Sequence, residues 1–215
     1  MSTNMPAGRL IVVSGPSGVG KTSLIREVLA SSTRLKRSVS HTTRTPRAGE
    51  KDGKNYFFVN ENQFLTMIKE GAFLEHARVF KHYYGTVRQT VDTLLAQAYD
   101  VVLEIDWQGA RQVRNSRKCF SIFILPPDLS ALQSRLQDRN QDQPEVIRQR
   151  LAGAMTEIMH CSEFDQWIVN NDYQQTVKQL GQIMRQCMRD ASLMQHARQV
   201  LTTIKAHIPD KPGMA

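Results

Sequence analysis

Apolar positions along the chain alternate between two textures. Short, mostly β-branched runs at Arg9 to Val13 (RLIVV), Val101 to Ile105 (VVLEI), Ser121 to Leu125 (SIFIL) and Trp167 to Val169 (WIV) read as strands buried on both faces. Between them apolar residues recur at spacings of three and four: Leu24, Val28 and Leu29; Val91, Leu94, Leu95 and Ala98; Leu129, Leu132 and Leu136; Ile147, Leu151, Met155 and Ile158. Those spacings predict helices. Strands alternating with helices give an α/β chain with a central parallel sheet flanked by helices. Residues 38–86 break the alternation, with Tyr56 to Val59 (YFFV) followed by a helical Phe64, Met67, Ile68 set among glycines and charges. This predicts an inserted small β-rich lobe. After Asp172 a long helical pattern runs through Val177, Leu180, Met184, Met188 and Ala191, and the closing IPDKPGMA reads as a frayed tail. No repeat, low-complexity tract or linker divides the chain, so residues 8–188 read as one domain and 189–215 as a helical extension with that tail.

Composition narrows the class. Hydrophobic residues make up 40% and charged residues 22% of 215, which excludes a disordered or collagen-like chain and supplies a core. The longest aliphatic or aromatic runs, such as Ile122 to Leu125, are four residues. A membrane span needs about 18 and a signal-peptide core about 7, so the reading is a soluble, unexported protein with no membrane partner. Cys119, Cys161 and Cys187 are odd in number and widely spaced, which points away from a disulfide framework or CxxC metal site and toward a reducing cytoplasm. The six histidines show no zinc-ligand spacing. The net charge of +8 is concentrated: residues 34–50 hold five basic side chains against Glu50, and 176–215 hold six against Asp190 and Asp210. Such charge attracts phosphate, whether on a small nucleotide or on nucleic acid, and composition leaves both open.

A motif decides part of that question. Gly15, Pro16, Ser17, Gly18, Val19, Gly20, Lys21 and Thr22 satisfy GxxxxGK[ST], after an apolar strand and at the opening of a helix. Backbone N–H groups of such a loop and the helix N-terminus form an anion nest; Lys21 adds a point charge and Thr22 a hydroxyl for magnesium. The loop predicts binding of a nucleoside triphosphate. Downstream, SHTTRTPRAGE puts Arg44 and Arg47 three residues apart in a stretch broken by Pro46 and Gly49. Two guanidiniums converging from a turn suit a phosphate dianion. A solvated basic loop is the competing reading, and spacing alone leaves it open.

The motifs SGPSGVGKT, SHTTRTPRAGE, DGKNYFFV, FLEHARVF, HYYGT, EIDWQGA, SIFILPP and IVNND occur in the order found in guanylate kinases. Over residues 8–188 the chain resembles the bacterial members of that family. The resemblance implies the P-loop nucleoside monophosphate kinase fold and transfer of the terminal phosphate of ATP to GMP, extending to dGMP, with Mg²⁺, in purine nucleotide metabolism and GMP recycling. It implies that Arg44, Arg47, Tyr56 and Tyr84 hold the GMP phosphate, with Glu50 orienting the arginines. Ser40, Glu75 and Thr86 would read the guanine, in keeping with the N1–H and N2–H donors that a carboxylate can accept together. Asp106 would sit on the GMP side and reach magnesium through water, while Thr22 would ligate it directly. Arg135, Arg139 and Arg150 resemble arginines of a lid, residues 135–150, that closes on the ATP phosphates, and Asn170 resembles an adenine-side residue. Lys21, Arg44 and the three lid arginines would carry catalysis. The chain departs from the family pattern at Glu104, where Asp is usual, and at Asp138, Arg139, Asn140, where a GRG-like segment is usual.

Two readings from other classes compete. A scaffold module of the same ancestry would carry a damaged phosphate loop, whereas Gly20, Lys21 and Thr22 are intact here. A nucleic-acid-binding protein would use the basic C-terminal stretch, which lacks interleaved aromatics and reads as a solvated helix face. The expected partners are therefore ATP and GMP rather than nucleic acid.

Overall fold

Leu10–Ser14 (β1) is buried at every position and leads through a glycine-rich turn into the helix Lys21–Ala30 (α1). There follow β2 (Leu35–Arg37), β3 (His41–Thr42), β4 (Phe57–Phe58), α2 (Glu61–Lys69), β5 (Phe73–Val79), β6 (His82–Val87), α3 (Arg88–Ala96), β7 (Asp100–Glu104) and α4 (Trp107–Ser116). The chain continues through β8 (Phe120–Leu125), α5 (Leu129–Gln137), α6 (Pro144–Met159), β9 (Gln166–Val169), α7 (Tyr173–Gln186) and α8 (Ala191–Ala206). The structure is a computed structural model that describes residues 8–79, 81–137, 144–187 and 190–206, with the side chains of 144–150 outside the description. One sheet has the order β2-β7-β1-β8-β9 and the other β4-β3-β6-β5. β2 runs parallel to β7, and β8 to β9. Two compact units emerge: Met1–Val12 with Ser31–Phe120, and Val13–Ala30 with Ser121–Ala215.

In the first unit the small sheet is organised by the β5/β6 hairpin, whose antiparallel register sets Glu75 opposite Thr86 and Ala77 opposite Tyr84. β3 joins β6 antiparallel and β4 parallel. Beneath the sheet, Phe64 of α2 is fully buried and stacks on Phe73 at 4.5 Å and Tyr83 at 5.4 Å between ring centroids. A capping box fixes the start of α2: the Asn60 side chain accepts from Gln63 N, and the Gln63 side chain accepts from Asn60 N. The buried Asp100 carboxylate accepts bonds from Arg9 and Arg34. YFFV contributes less strand than its composition predicts, because only Phe57 and Phe58 pair as β4.

In the second unit β9 is buried throughout and β8 nearly so, in keeping with strands covered on both faces. Leu132 and Leu136 of α5 pack with Ala154 and Leu151 of α6. On α1 the buried face is Leu24, Ile25 and Val28, with Leu29 only half-buried, so the inward stripe is rotated from the predicted one. The long pattern after Asp172 is two helices. α7 stops where Cys187 turns left-handed at φ 49 and donates its N–H to Ile183 O at 2.7 Å; α8 begins where the Asp190 carboxylate accepts from Ser192 N and Leu193 N. Apolar spacing hid the break because both helices bury a stripe: Leu180, Ile183 and Met184 on one, Ala197, Leu201 and Ile204 on the other. In the first unit α3 ends at Ala96, and Ala98, predicted on its apolar face, is left-handed at φ 63 beyond it. The IPDKPGMA tail lies outside the described residues. Among the described residues no helix is long and apolar enough to cross a membrane.

Candidate active site

The glycine-rich turn of the second unit is closed by steric need. Gly15 (φ 148) leaves no room for a side chain, since a Cβ there would lie 2.4 Å from Ile124 O; at Gly20 (φ 97) one would lie 2.9 Å from Asn170 Nδ2. Within the turn Val19 N donates to Pro16 O at 3.2 Å. Lys21 Nζ donates to Gly15 O and, at 3.0 Å, to Pro16 O, so the ammonium is held over the loop. No acidic residue occupies the first turn of α1, so no carboxylate of that turn opposes an anion at the positive end of its dipole. Thr22 is exposed on that turn. Ser17 and Gly18 are half-buried and Pro16 and Val19 buried.

Two expected site residues support this loop from behind. Asn170 Nδ2 donates to Val19 O at 2.7 Å, and the buried Asn170 Oδ1 has no hydrogen-bond partner among the described residues. Arg135 reaches the same place from the end of α5, donating to Asn170 O at 3.0 Å and Val19 O at 3.4 Å. The structure thus brings Arg135, Asn170 and the glycine-rich loop together. Arg139 lies outside the described residues with Asp138 and Asn140, and Arg150 stands in α6 with its side chain outside them.

The first unit gathers the other set. Arg44 Nη2 donates to Glu50 Oε1 at 2.9 Å, and Glu50 Oε2 accepts from Arg47 N at 2.8 Å, so one carboxylate organises both ends of the turn. The Arg44 guanidinium lies 5.6 Å from the Tyr56 ring and 5.9 Å from the Phe58 ring, and the Tyr56 and Tyr84 rings meet edge to face at 5.9 Å. Burial opposes charge on Arg44, but the Glu50 bond and the Tyr84 hydroxyl raise its pKa on balance. Burial likewise pushes the Glu50 carboxyl up, and Arg44 with the Arg47 amide outweighs it, leaving Glu50 below its ordinary value. Arg47 itself is exposed.

Behind this cluster Glu75 is 4% exposed. Its Oε1 accepts from the Thr86 hydroxyl at 2.6 Å, a pairing set by their opposed positions in the hairpin, and Thr86 Oγ1 lies 3.4 Å from Ser40 Oγ. Burial pushes the Glu75 carboxyl up to about 7, against the Thr86 bond and with the help of the Asp106 charge. Asp106 caps α4, its Oδ1 accepting from Gly109 N at 2.8 Å. Two residues here escaped the sequence reading. A Cβ on Gly109 would fall 2.3 Å from Glu75 Oε2, so the glycine makes the space that the carboxylate fills. Gln112 accepts from His76 N at 3.1 Å and donates to His76 O at 2.7 Å, fixing the strand residue next to Glu75. The WQGA run offered Gly109 as a signal, but its partner was set only by tertiary structure.

A family model described as guanylate kinase matches residues 7–187. The chain belongs to the guanylate kinase family. Guanylate kinase of Alkalilimnicola ehrlichii is 51% identical over 177 residues, covering 82% of this chain and 87% of that one. Guanylate kinase of Salmonella paratyphi A is 50% identical over 186 residues, covering 84% and 89%. The crystal structure of guanylate kinase from Anaplasma phagocytophilum is 33% identical and covers 92% of this chain and 95% of that one, with a TM-score of 0.69.

Proposed function

We propose that the chain transfers the terminal phosphoryl group of ATP to GMP, and to dGMP, giving ADP and the nucleoside diphosphate. The observation that carries the guanine assignment is the enclosed Glu75 carboxylate, steadied on one oxygen by Thr86 at 2.6 Å. Guanine offers adjacent N1–H and N2–H donors to an ionised carboxylate and an O6 acceptor to a hydroxyl, whereas adenine presents the opposite pattern at positions 1 and 6. Asp106, whose charge acts on Glu75, belongs to the same side. Arg44, Arg47, Tyr56 and Tyr84 take the acceptor phosphate, with Glu50 holding the arginines. The loop amides, Lys21 and Arg135 take the donor phosphates, joined by Arg139 and Arg150 of the lid, and Asn170 braces the loop on the adenine side.

Phosphoryl transfer needs position and positive charge more than covalent chemistry. The acceptor oxygen is already a nucleophile, so no side chain need act as a strong base. Lys21 and the arginines stabilise charge on the transferring group, and the acceptor clamp sets the line of attack. Magnesium is matched in chemistry by two hard oxygen donors, the exposed Thr22 hydroxyl next to Lys21 in sequence and the Asp106 carboxylate. When bound, the ion neutralises charge on the donor phosphates. A cytoplasmic setting agrees with cysteines that are not joined in disulfides. The exposed Lys178, Arg185, Arg198 and Lys205 on α7 and α8 support a solvated face rather than a nucleic-acid platform. A coupled ADP-release assay across GMP, AMP, CMP, UMP and dTMP tests the proposal: turnover with GMP alone is expected, and equal turnover with AMP would overturn the guanine assignment.

Two further outcomes follow from the acceptor geometry. Arg44→Ala should weaken GMP by about tenfold or more and leave guanosine nearly unaffected, because a charge-assisted bond to phosphate is worth about 1.5 to 3 kcal/mol. Calorimetry with both ligands checks this, and equal losses would count against the clamp. Affinity for guanosine should also rise between pH 6 and 8 as Glu75, at about 7 in the folded chain, loses its proton and gains a second acceptor oxygen. Guanosine avoids the phosphate's own titration near about 6. Stability of the empty protein runs the other way. A carboxyl raised on folding binds its proton more tightly in the native state, so its contribution is full below the unfolded value and is lost as pH rises to about 7. An affinity that is flat across this range would remove Glu75 from the base site.

A further inference from the structure

The proposed acceptor clamp has a carboxylate for a neighbour, and one arginine answers it. β2 ends at Arg37 and β7 at Glu104, and their parallel register, with Arg37 opposite Val102, brings Arg37 Nη1 within 3.6 Å of Glu104 Oε2. The same guanidinium donates through Nη2 to Lys54 O at 2.6 Å and, more weakly, to Asn55 O at 3.5 Å. Those are the two carbonyls before Tyr56, whose ring lies against Arg44 and Tyr84. Side-chain exposure is 21% for Arg37 and 14% for Glu104, so water screens the pair only in part. Burial and then the Glu104 charge push the Tyr56 hydroxyl up to about 12, while Arg37 and Arg44 both act against that rise. Glu104 is thus felt at the clamp, and Arg37 opposes it there.

We propose that Arg37 is a positioning residue for the acceptor phosphate, cancelling the Glu104 charge beside the clamp and fixing the backbone that carries Tyr56. This rests on the reading of Arg44, Tyr56 and Tyr84 as the phosphate clamp. A planar fork with five donors can serve a carboxylate and two carbonyls together, which a lysine ammonium on a flexible stem does less well. With Arg37 gone, Glu104 becomes a like charge facing a phosphate dianion, and repulsion falls on GMP but not on guanosine.

Calorimetric titration of GMP and guanosine, without ATP, into the wild type, Arg37→Met, Glu104→Gln and the double variant tests the inference. Arg37→Met should weaken GMP about tenfold and guanosine less than about twofold, and adding Glu104→Gln should recover GMP affinity to within about threefold of wild type. A role confined to folding would cost GMP and guanosine alike, whereas charge at the clamp falls on GMP alone. Arg37→Lys, which keeps the charge, should lose about threefold for GMP and carries the test if Arg37→Met does not fold. Unchanged GMP affinity in a folded Arg37 variant, equal loss of both ligands, or no recovery in the double variant would overturn the inference. A wild type that binds guanosine as tightly as GMP would instead overturn the clamp reading beneath it.

Discussion

Replacing Glu75 by glutamine should lower kcat/KM for GMP by about 10³-fold and leave KM for ATP within about twofold. The carboxylate is enclosed, with one oxygen on Thr86 and the other in the space left by Gly109. Glutamine fills nearly the same volume, and its amide oxygen can still accept from Thr86, so the fold should hold. Its NH₂ then faces the N1–H and N2–H of guanine, donor against donor, in a site that water cannot enter to compensate. The penalty falls on the base, so discrimination between GMP and AMP should shrink as well. Steady-state kinetics with both acceptors, alongside a melting curve, checks this. Unchanged kcat/KM for GMP in a folded variant would mean that Glu75 does not read guanine.

Lys21→Ala should cut kcat by about 10³-fold while GMP affinity stays within about twofold of wild type. Lys21 belongs to the second unit, where its ammonium is held by the Gly15 and Pro16 carbonyls, whereas Arg44, Glu50, Tyr56, Glu75 and Thr86 all belong to the first. On this account the lysine meets the donor phosphates and the arginines meet the acceptor. Removing it takes a point charge from the transferring group and nothing from the acceptor site. Calorimetry for GMP together with a turnover assay separates the two effects. Loss of GMP affinity in step with the lysine would show that the donor and acceptor assignments are wrong.

Much of this was legible in the chain because the signals were local. β1, the glycine-rich turn and α1 follow from an apolar run, a spacing of glycines and a helical stripe within 21 residues of sequence, Leu10 to Ala30. Arg44 and Glu50 are six apart in one turn, so their pairing too was within reach. What was not legible depends on register. Glu75 meets Thr86 only because the hairpin sets them opposite, and Gly109 becomes meaningful only when α4 starts beside that carboxylate. Arg37 and Glu104, 67 positions apart, meet because β2 and β7 run parallel. β3 and β4, two residues each, are too short for any alternation to register. The break at Cys187 was hidden for the opposite reason. The apolar spacing of α7 runs on smoothly into the next helix, while a left-handed turn at a non-glycine residue leaves no mark in composition.

Following the label from ATP carrying ³²P in its terminal phosphate, incubated with the full chain, magnesium and GMP, tests the central claim most directly. The account predicts that the label appears in GDP at the rate ADP forms, and that omitting GMP stops ADP release. Label arriving in inorganic phosphate at that same rate, with none in GDP, would contradict it.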